Sequence, residues 1–194
     1  DALAAAALAR AAGVDAEAVA SGLRHYSPGA HRIVTVAEAD GVTWVDDSKA
    51  TNPHSAEAAL TSLPQGTGVW ICGGDTKGAQ FFDLVRTVRP HLRGAVVIGK
   101  DQSDILAALE QEAPGLPVTR ISHAAPEQVS ATAVEAAGTM ARSGDTVMLA
   151  PACASWDQFT SYAQRGDLFA AAAKAYAGGG TPETTDASGV QEKL

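Results

Sequence analysis

Val45-Asp46-Asp47-Ser48-Lys49-Ala50-Thr51-Asn52-Pro53 is the stretch from which the fold of this chain is read. An apolar run, Val42-Thr43-Trp44-Val45, leads into it as a strand, and a helix pattern, Pro53–Leu60, leaves it. Asn52 is a good N-cap, and Pro53 suits the first helical position, where its missing N–H costs nothing. The two carboxylates, two hydroxyls, ammonium and amide in between therefore sit on a short, stiff strand-to-helix turn. Open α/β folds place ligands at such turns, and the facing helix N-terminus favours anions. The plain alternative is an ordinary capped turn of an α/β domain.

Strand and helix signals alternate outward from this turn. Two β-rich runs, 33–38 and 42–45, flank Ala39-Asp40-Gly41 and predict a hairpin. Further strands are predicted at 68–72, 95–98, 117–121 and 145–150, the third near an edge because Pro117 suits a strand's first position. Helices are expected at 82–89, 102–111, 126–141 and 165–176. The pattern predicts an α/β fold: a mostly parallel sheet with helices on both faces and an N-terminal β-hairpin. Residues 1–29 read as two short helices that cannot bury their apolar faces alone, so they are expected to belong to a preceding domain. Residues 178–194 follow three glycines, are poor in apolar side chains, and are expected to form a loose tail.

The chain has 194 residues, 46% of them hydrophobic, which suffices for a core of one ordinary domain. A formal net charge of -8 argues against nucleic acid or an anionic membrane as the main partner. Cys72 and Cys153 each lie in an apolar run and lack metal-ligand spacing, so both are expected to be buried, reduced thiols. No signal peptide or spanning segment is visible, and neither G-x-G-x-x-G nor a P-loop occurs. Three strand-exit loops, 46–52, 73–80 and 151–158, carry unusual polarity. If their strands are parallel, they open on one sheet edge and gather Lys49 and Lys77 with Ser48, Thr51, Thr76 and Ser155, a set suited to a dianion. Ser155-x-x-Gln158 also fits a capping box, with Ser155 as the N-cap of a following helix. Gly73-Gly74 reads as a tight turn or as close backbone approach to a ligand.

Asp47-Ser48-Lys49-Ala50-Thr51-Asn52, Gly73-Gly74-Asp75 with Lys77, and Pro151-Ala152-Cys153-Ala154-Ser155 with Asp157-Gln158-Phe159 and Gln164-Arg165-Gly166 occur in one order and spacing. By these motifs the chain, from residue 1 to about 177, resembles the C-terminal part of the Mur ligases that add D-glutamate, the UDP-N-acetylmuramoyl-L-alanine:D-glutamate ligases. Sister Mur ligases and folylpolyglutamate synthases have a different strand-exit sequence in place of Asp47–Asn52. They remain the alternative among enzymes, and a non-catalytic anion-binding α/β module is the alternative outside them.

The resemblance implies a Rossmann-like C-terminal domain at 30–177, the last two helices of a central ATPase domain at 1–29, and a tail at 178–194. It implies ATP-dependent amide ligation in peptidoglycan synthesis by a cytoplasmic monomer, with D-glutamate, ATP and UDP-N-acetylmuramoyl-L-alanine as partners and no role for nucleic acid or membrane. Mg²⁺ and a carbamylated lysine would lie in the central domain, leaving no metal site in this chain and no activity for it alone. Lys49 is placed beside the transferred phosphate as the catalytic residue. Thr51, Lys77, Ser155 and Tyr162 are placed against D-glutamate, and Arg32 and Asp47 against the nucleotide. Two positions depart from the family pattern: Gln80 where an acid is usual, and Tyr162 where many members have phenylalanine.

Overall fold

The structure, a computed structural model, describes residues 2–26, 29–122, 125–179 and the backbone of 190–191. Helices α1 (Ala2–Ala11) and α2 (Ala16–His25) come first. Gly13 takes the left-handed conformation just past α1, and the Asp15 carboxylate caps α2 by accepting from the Ala18 N–H at 2.8 Å. Neither helix has a buried residue, and Leu3 is 88% exposed.

Strands β1 (Val34–Ala39) and β2 (Val42–Asp46) form the expected antiparallel hairpin. Its turn residues Asp40 and Gly41 both have positive φ, as a two-residue turn matching the strand twist requires. The chain then alternates α3 (Pro53–Leu60), β3 (Gly68–Gly73), α4 (Phe82–Val88), β4 (Leu92–Ile98), α5 (Ser103–Glu112), β5 (Val118–Ile121), α6 (Pro126–Met140), β6 (Thr146–Leu149) and α7 (Tyr162–Ala177). The sheet order is β1-β2-β6-β3-β4-β5, with every pair after the hairpin parallel. A two-residue strand, β7 (Val190–Gln191), pairs antiparallel with β5 at the far edge. The rest of the expected tail beyond Gly179 lies outside the described residues.

Alternation along each central strand splits the core into two layers. Trp70 and Cys72 of β3 pack with α3, α4 and α5, while Val69 and Ile71 pack with α6 and α7. Trp70 is fully buried and its indole N–H donates to the Ala150 carbonyl at 2.7 Å, so its burial leaves no unpaired donor. Strand β4 starts three residues earlier than the apolar run suggests. Arg93 interrupts that run in sequence, but its guanidinium pairs with the buried carboxylate of Asp145 from the segment leading into β6.

The position of β6 decides where the polar loops lie. It runs between β2 and β3, so the segments leaving these three neighbouring strands emerge side by side on the carboxyl edge. The condition for convergence of the three loops is met.

Candidate functional site

The loop after β6 is stitched between its two neighbours. Asp47 N–H donates to Leu149 O and Ala152 N–H to Ala50 O, both at 2.9 Å. On the other side, Gly73 N–H donates to Pro151 O at 2.9 Å, and Asp75 and Ala154 exchange backbone bonds at 3.0 and 2.8 Å. Gly73 and Gly74 have φ 111° and 128°. A Cβ on Gly73 would stand 2.0 Å from Ile98 O, and one on Gly74 2.3 Å from Ala154 O. The close approach these glycines permit is therefore to protein backbone.

Ser48 and Arg165 fix the first loop to α7. The Ser48 hydroxyl donates to Tyr162 O at 2.7 Å and accepts from Arg165 Nε at 3.0 Å. Arg165 Nη2 donates to Ser48 O at 3.0 Å and to Cys153 O at 3.2 Å, joining two loops through one guanidinium. Arg165 is 1% exposed, and among the described residues it has no carboxylate partner within 4 Å. Burial pushes its pKa down to about 10, which leaves it a cation at neutral pH. Lys49 Nζ stands 3.8 Å from the centroid of the Tyr162 ring, a cation–π contact worth about 0.5–1 kcal/mol at such a half-exposed site. Asn52 caps α3 by accepting from Ser55 N–H at 3.0 Å, with Pro53 in the first helical position as expected. Thr51, next to that cap, is half-buried.

Arg32 and Asp47 lie on the segments at the other end of the first loop, near enough for the Arg32 charge to act on the Asp47 carboxyl. Arg32 is exposed and Asp47 is buried. Desolvation raises the Asp47 carboxyl from the ordinary 3.8 to about 6; the Ile33 N–H and the Arg32 charge oppose that rise, and the neighbouring Asp46 adds to it. Two residues flanking Arg32 have left-handed backbones, His31 at φ 61° and Ile33 at φ 50°. For β-branched Ile33 this is an outlier costing on the order of 1–3 kcal/mol. His31 Nδ1 lies 2.6 Å from Asp46 Oδ2, and the His31 carbonyl accepts from Lys49 N–H at 3.1 Å.

Lys77 lies on the loop after β3, exposed, with φ 50° and its N–H donating to the Asp75 carboxylate at 3.0 Å. Among the described residues neither Lys49 nor Lys77 has a carboxylate within 4 Å, so both ammoniums are available to an incoming anion. Ser155 is buried on the loop bonded to Asp75, but it does not cap a helix. Residues 155–158 form a single turn in which Ser155 O accepts from the Gln158 and Phe159 N–H groups at 3.2 and 2.8 Å. The Gln158 side chain accepts from Gly99 N–H at 2.7 Å, and Asp157 accepts from Lys100 N–H at 2.9 Å. The cap of α7 is Ser161, whose hydroxyl accepts from Gln164 N–H at 3.1 Å while the Gln164 side-chain Oε1 accepts from Thr160 N–H at 2.7 Å. Helix α7 accordingly starts at Tyr162. This start brings Tyr162 over Lys49.

Away from these loops, an apolar hollow of about 310 Å³ lies between α5 and the start of β5, lined by Leu106, Leu109 and Val118 among others. It holds no cluster of charged groups to receive an anion. Both cysteines are buried and free, as expected, and burial pushes the Cys153 thiol up to about 12.

Sequence reasoning missed the roles of His31, Asp46, Arg165 and Gly166. In sequence, Asp46 is only one of two carboxylates on the turn, and Arg165 and Gly166 are only parts of a motif. A glycine inside a helix pattern signals close packing, and Gly166 fits: a Cβ there would stand 2.2 Å from His31 Nδ1 and 2.6 Å from Asp46 Oδ2.

Comparison with known proteins fits this geometry. Residues 31–153 match the family described as "Mur ligase, glutamate ligase domain". The chain is 54% identical over 178 residues to a UDP-N-acetylmuramoylalanine--D-glutamate ligase of Frankia casuarinae, covering 92% of the chain and 36% of that protein. It is 53% identical over 174 residues to the protein of the same name from Streptomyces avermitilis, covering 90% of the chain and 37% of that protein. The chain thus spans about a third of the length of the curated relatives it matches. Among solved structures, MurF from Acinetobacter baumannii matches with a TM-score of 0.59 at 18% identity, over 89% of the chain and 37% of its own. MurF from Thermotoga maritima in complex with ADP matches with a TM-score of 0.52 at 15% identity, over 88% of the chain and 37% of its own. At those identities the likeness shows the fold. With the family match spanning residues 31–153, the chain belongs to the Mur ligases, as a glutamate ligase domain.

Proposed function

We propose that this chain is the C-terminal part of an ATP-dependent ligase that joins D-glutamate to UDP-N-acetylmuramoyl-L-alanine in peptidoglycan synthesis, acting as a monomer in the cytoplasm. Residues 30–177 form its C-terminal domain, 1–29 close the preceding ATPase domain, and 178–194 are an appendage outside the chemistry. The observation that carries the reading is the placing of Lys49, Lys77 and Ser155 on loops from three adjacent strands, with Tyr162 at the start of α7 against Lys49 and two ammoniums free of carboxylate partners among the described residues. The names of the curated relatives support D-glutamate as the amino acid. The ADP complex of a structural neighbour supports a nucleotide.

In this reading the acceptor carboxylate attacks the γ-phosphoryl of ATP and ADP leaves. The amine of D-glutamate then attacks the acyl phosphate, loses a proton and expels phosphate. Lys49, held by the Tyr162 ring, places a positive charge beside the phosphoryl group as charge develops. Lys77, Ser155 and Thr51 hold the two carboxylates of D-glutamate, which fixes the amine for in-line attack. Tyr162 lies along its methylenes. Arg32 faces the nucleotide phosphates and Asp47 the ribose hydroxyls. Mg²⁺, which would neutralise phosphate charge, is assigned to the upstream domain; among the described residues no three His, Cys, Asp or Glu side chains gather into a metal site. No helix among the described residues is long and apolar enough to cross a membrane.

The test supplies full-length protein with ATP, UDP-N-acetylmuramoyl-L-alanine and a panel of amino acids. Phosphate release and product formation with D-glutamate alone are expected. Equal turnover with L-lysine or L-glutamate would refute the assignment of substrate.

A further inference from the structure

Arg32 lies between two residues whose backbones L-amino acids rarely adopt, and such strain survives only where the surroundings over-determine it. Three contacts do so here. His31 is tied to Asp46 at 2.6 Å, its carbonyl accepts from Lys49 N–H at 3.1 Å, and Gly166 leaves room for the His31 ring against α7. The His31–Asp46 pair lies against the bare face of α7 at Gly166, where a side chain would overlap both partners. That face is anchored in turn by Arg165, one residue earlier, through its bonds to Ser48. Asp167, on the same helix, adds a longer contact at 3.8 Å to His31 Nε2 and is itself exposed. The hook 31–33, the end of β2 and the first turn of α7 thus form one closed clamp, with the Arg32 side chain as its exposed point.

We infer that His31, Asp46 and Gly166 are positioning residues that hold Arg32 in register for the nucleotide. The clamp sets the direction of the Arg32 side chain through the left-handed backbone on either side, without touching the ligand. Asp46 keeps the His31 ring against α7, and Gly166 gives it room. The inference rests on the proposed assignment of Arg32 to the nucleotide, so its test includes that residue.

The experiment is a double-mutant cycle in the full-length enzyme, with steady-state KM for ATP and for D-glutamate measured for Gly166→Ala, Arg32→Ala and the double variant, and for His31→Gln and Asp46→Asn. Gly166→Ala is expected to raise KM for ATP by about ten-fold with KM for D-glutamate unchanged, in line with the loss of one oriented charged contact. Because the clamp acts through Arg32, the double variant should be no worse than Arg32→Ala alone. Asp46→Asn, which keeps an acceptor for the ring, should retain most of the ATP affinity, while His31→Gln should match Gly166→Ala. Should Gly166→Ala fail to fold, His31→Gln with Arg32→Ala carries the same cycle. Equal loss toward both substrates, or full additivity with Arg32→Ala, would overturn the clamp. An Arg32→Ala variant with unchanged KM for ATP would instead overturn the nucleotide assignment on which it rests.

Discussion

Asp47→Asn in the 194-residue chain should stabilise the fold, and more so as pH rises. The Asp47 carboxyl is buried beside the like charge of Asp46, and its pKa rises from the ordinary 3.8 to about 6. A carboxyl whose folded pKa exceeds its unfolded value favours the folded state while protonated. Its contribution is full below pH 3.8 and is lost as pH rises through about 6. At 1.36 kcal/mol per pH unit the full loss would be about 3 kcal/mol, and water at the loop surface reduces the expected figure to about 1–2 kcal/mol. Asparagine keeps the size and polarity of the side chain and removes the charge. For a chain of this size, Tm should therefore rise by about 3–6 °C at pH 7.5 and change little at pH 4. Melting followed by circular dichroism at both values decides the matter. A lower Tm at pH 7.5, or the same change at both, would show that the Asp47 charge is compensated in the fold and that the desolvation argument fails.

Arg165→Met should destabilise the chain by about 2–4 kcal/mol, because Ser48 O and Cys153 O lose their buried donor; Arg165→Lys should recover only part of it, since one ammonium cannot span both loops. Chemical denaturation measures both, and a neutral Arg165→Met would refute the bridging role. Cys72 and Cys153 should resist iodoacetamide at pH 8 until the chain is unfolded, since burial raises both thiols well above that pH; mass spectrometry showing rapid labelling of the native chain would contradict their burial. The chain alone should show no ATP-dependent ligation, because no P-loop sequence lies within it; product formed by the 194 residues would disprove the division of labour proposed for it.

What was legible in the sequence is what short-range chemistry decides. Asn52 and Pro53 carry a cap and a first-turn proline side by side, and α3 begins where they imply. Asp40-Gly41 supplies both positive φ values of the hairpin turn locally. Alternating strand and helix signals sufficed for a mostly parallel sheet, but not for the insertion of β6 between β2 and β3, which rests on pairing across some eighty residues. The site was legible as three polar loops. Its internal wiring was not, because each decisive contact is long-range. Two S-x-x-Q boxes occur within ten residues, and local pattern favours neither. Gln158 is drawn to Gly99 and Asp157 to Lys100, so the first box closes a loop and only the second, at Ser161, starts a helix. Arg165 is 117 residues from Ser48, and no local rule pairs an arginine with a distant serine.

The central claim is that the crevice between these loops receives D-glutamate, and Lys77→Ala in the full-length enzyme tests it most directly. Lys77 has no carboxylate partner within 4 Å among the described residues, so its removal should leave the fold intact. Losing a charge-assisted hydrogen bond costs about 1.5–3 kcal/mol, which is on the order of ten- to a hundred-fold in kcat/KM. Steady-state kinetics with D-glutamate varied at saturating ATP and UDP-N-acetylmuramoyl-L-alanine should show that loss in kcat/KM for D-glutamate, with KM for ATP unchanged. An unchanged kcat/KM for D-glutamate would make Lys77 a surface lysine and contradict the account.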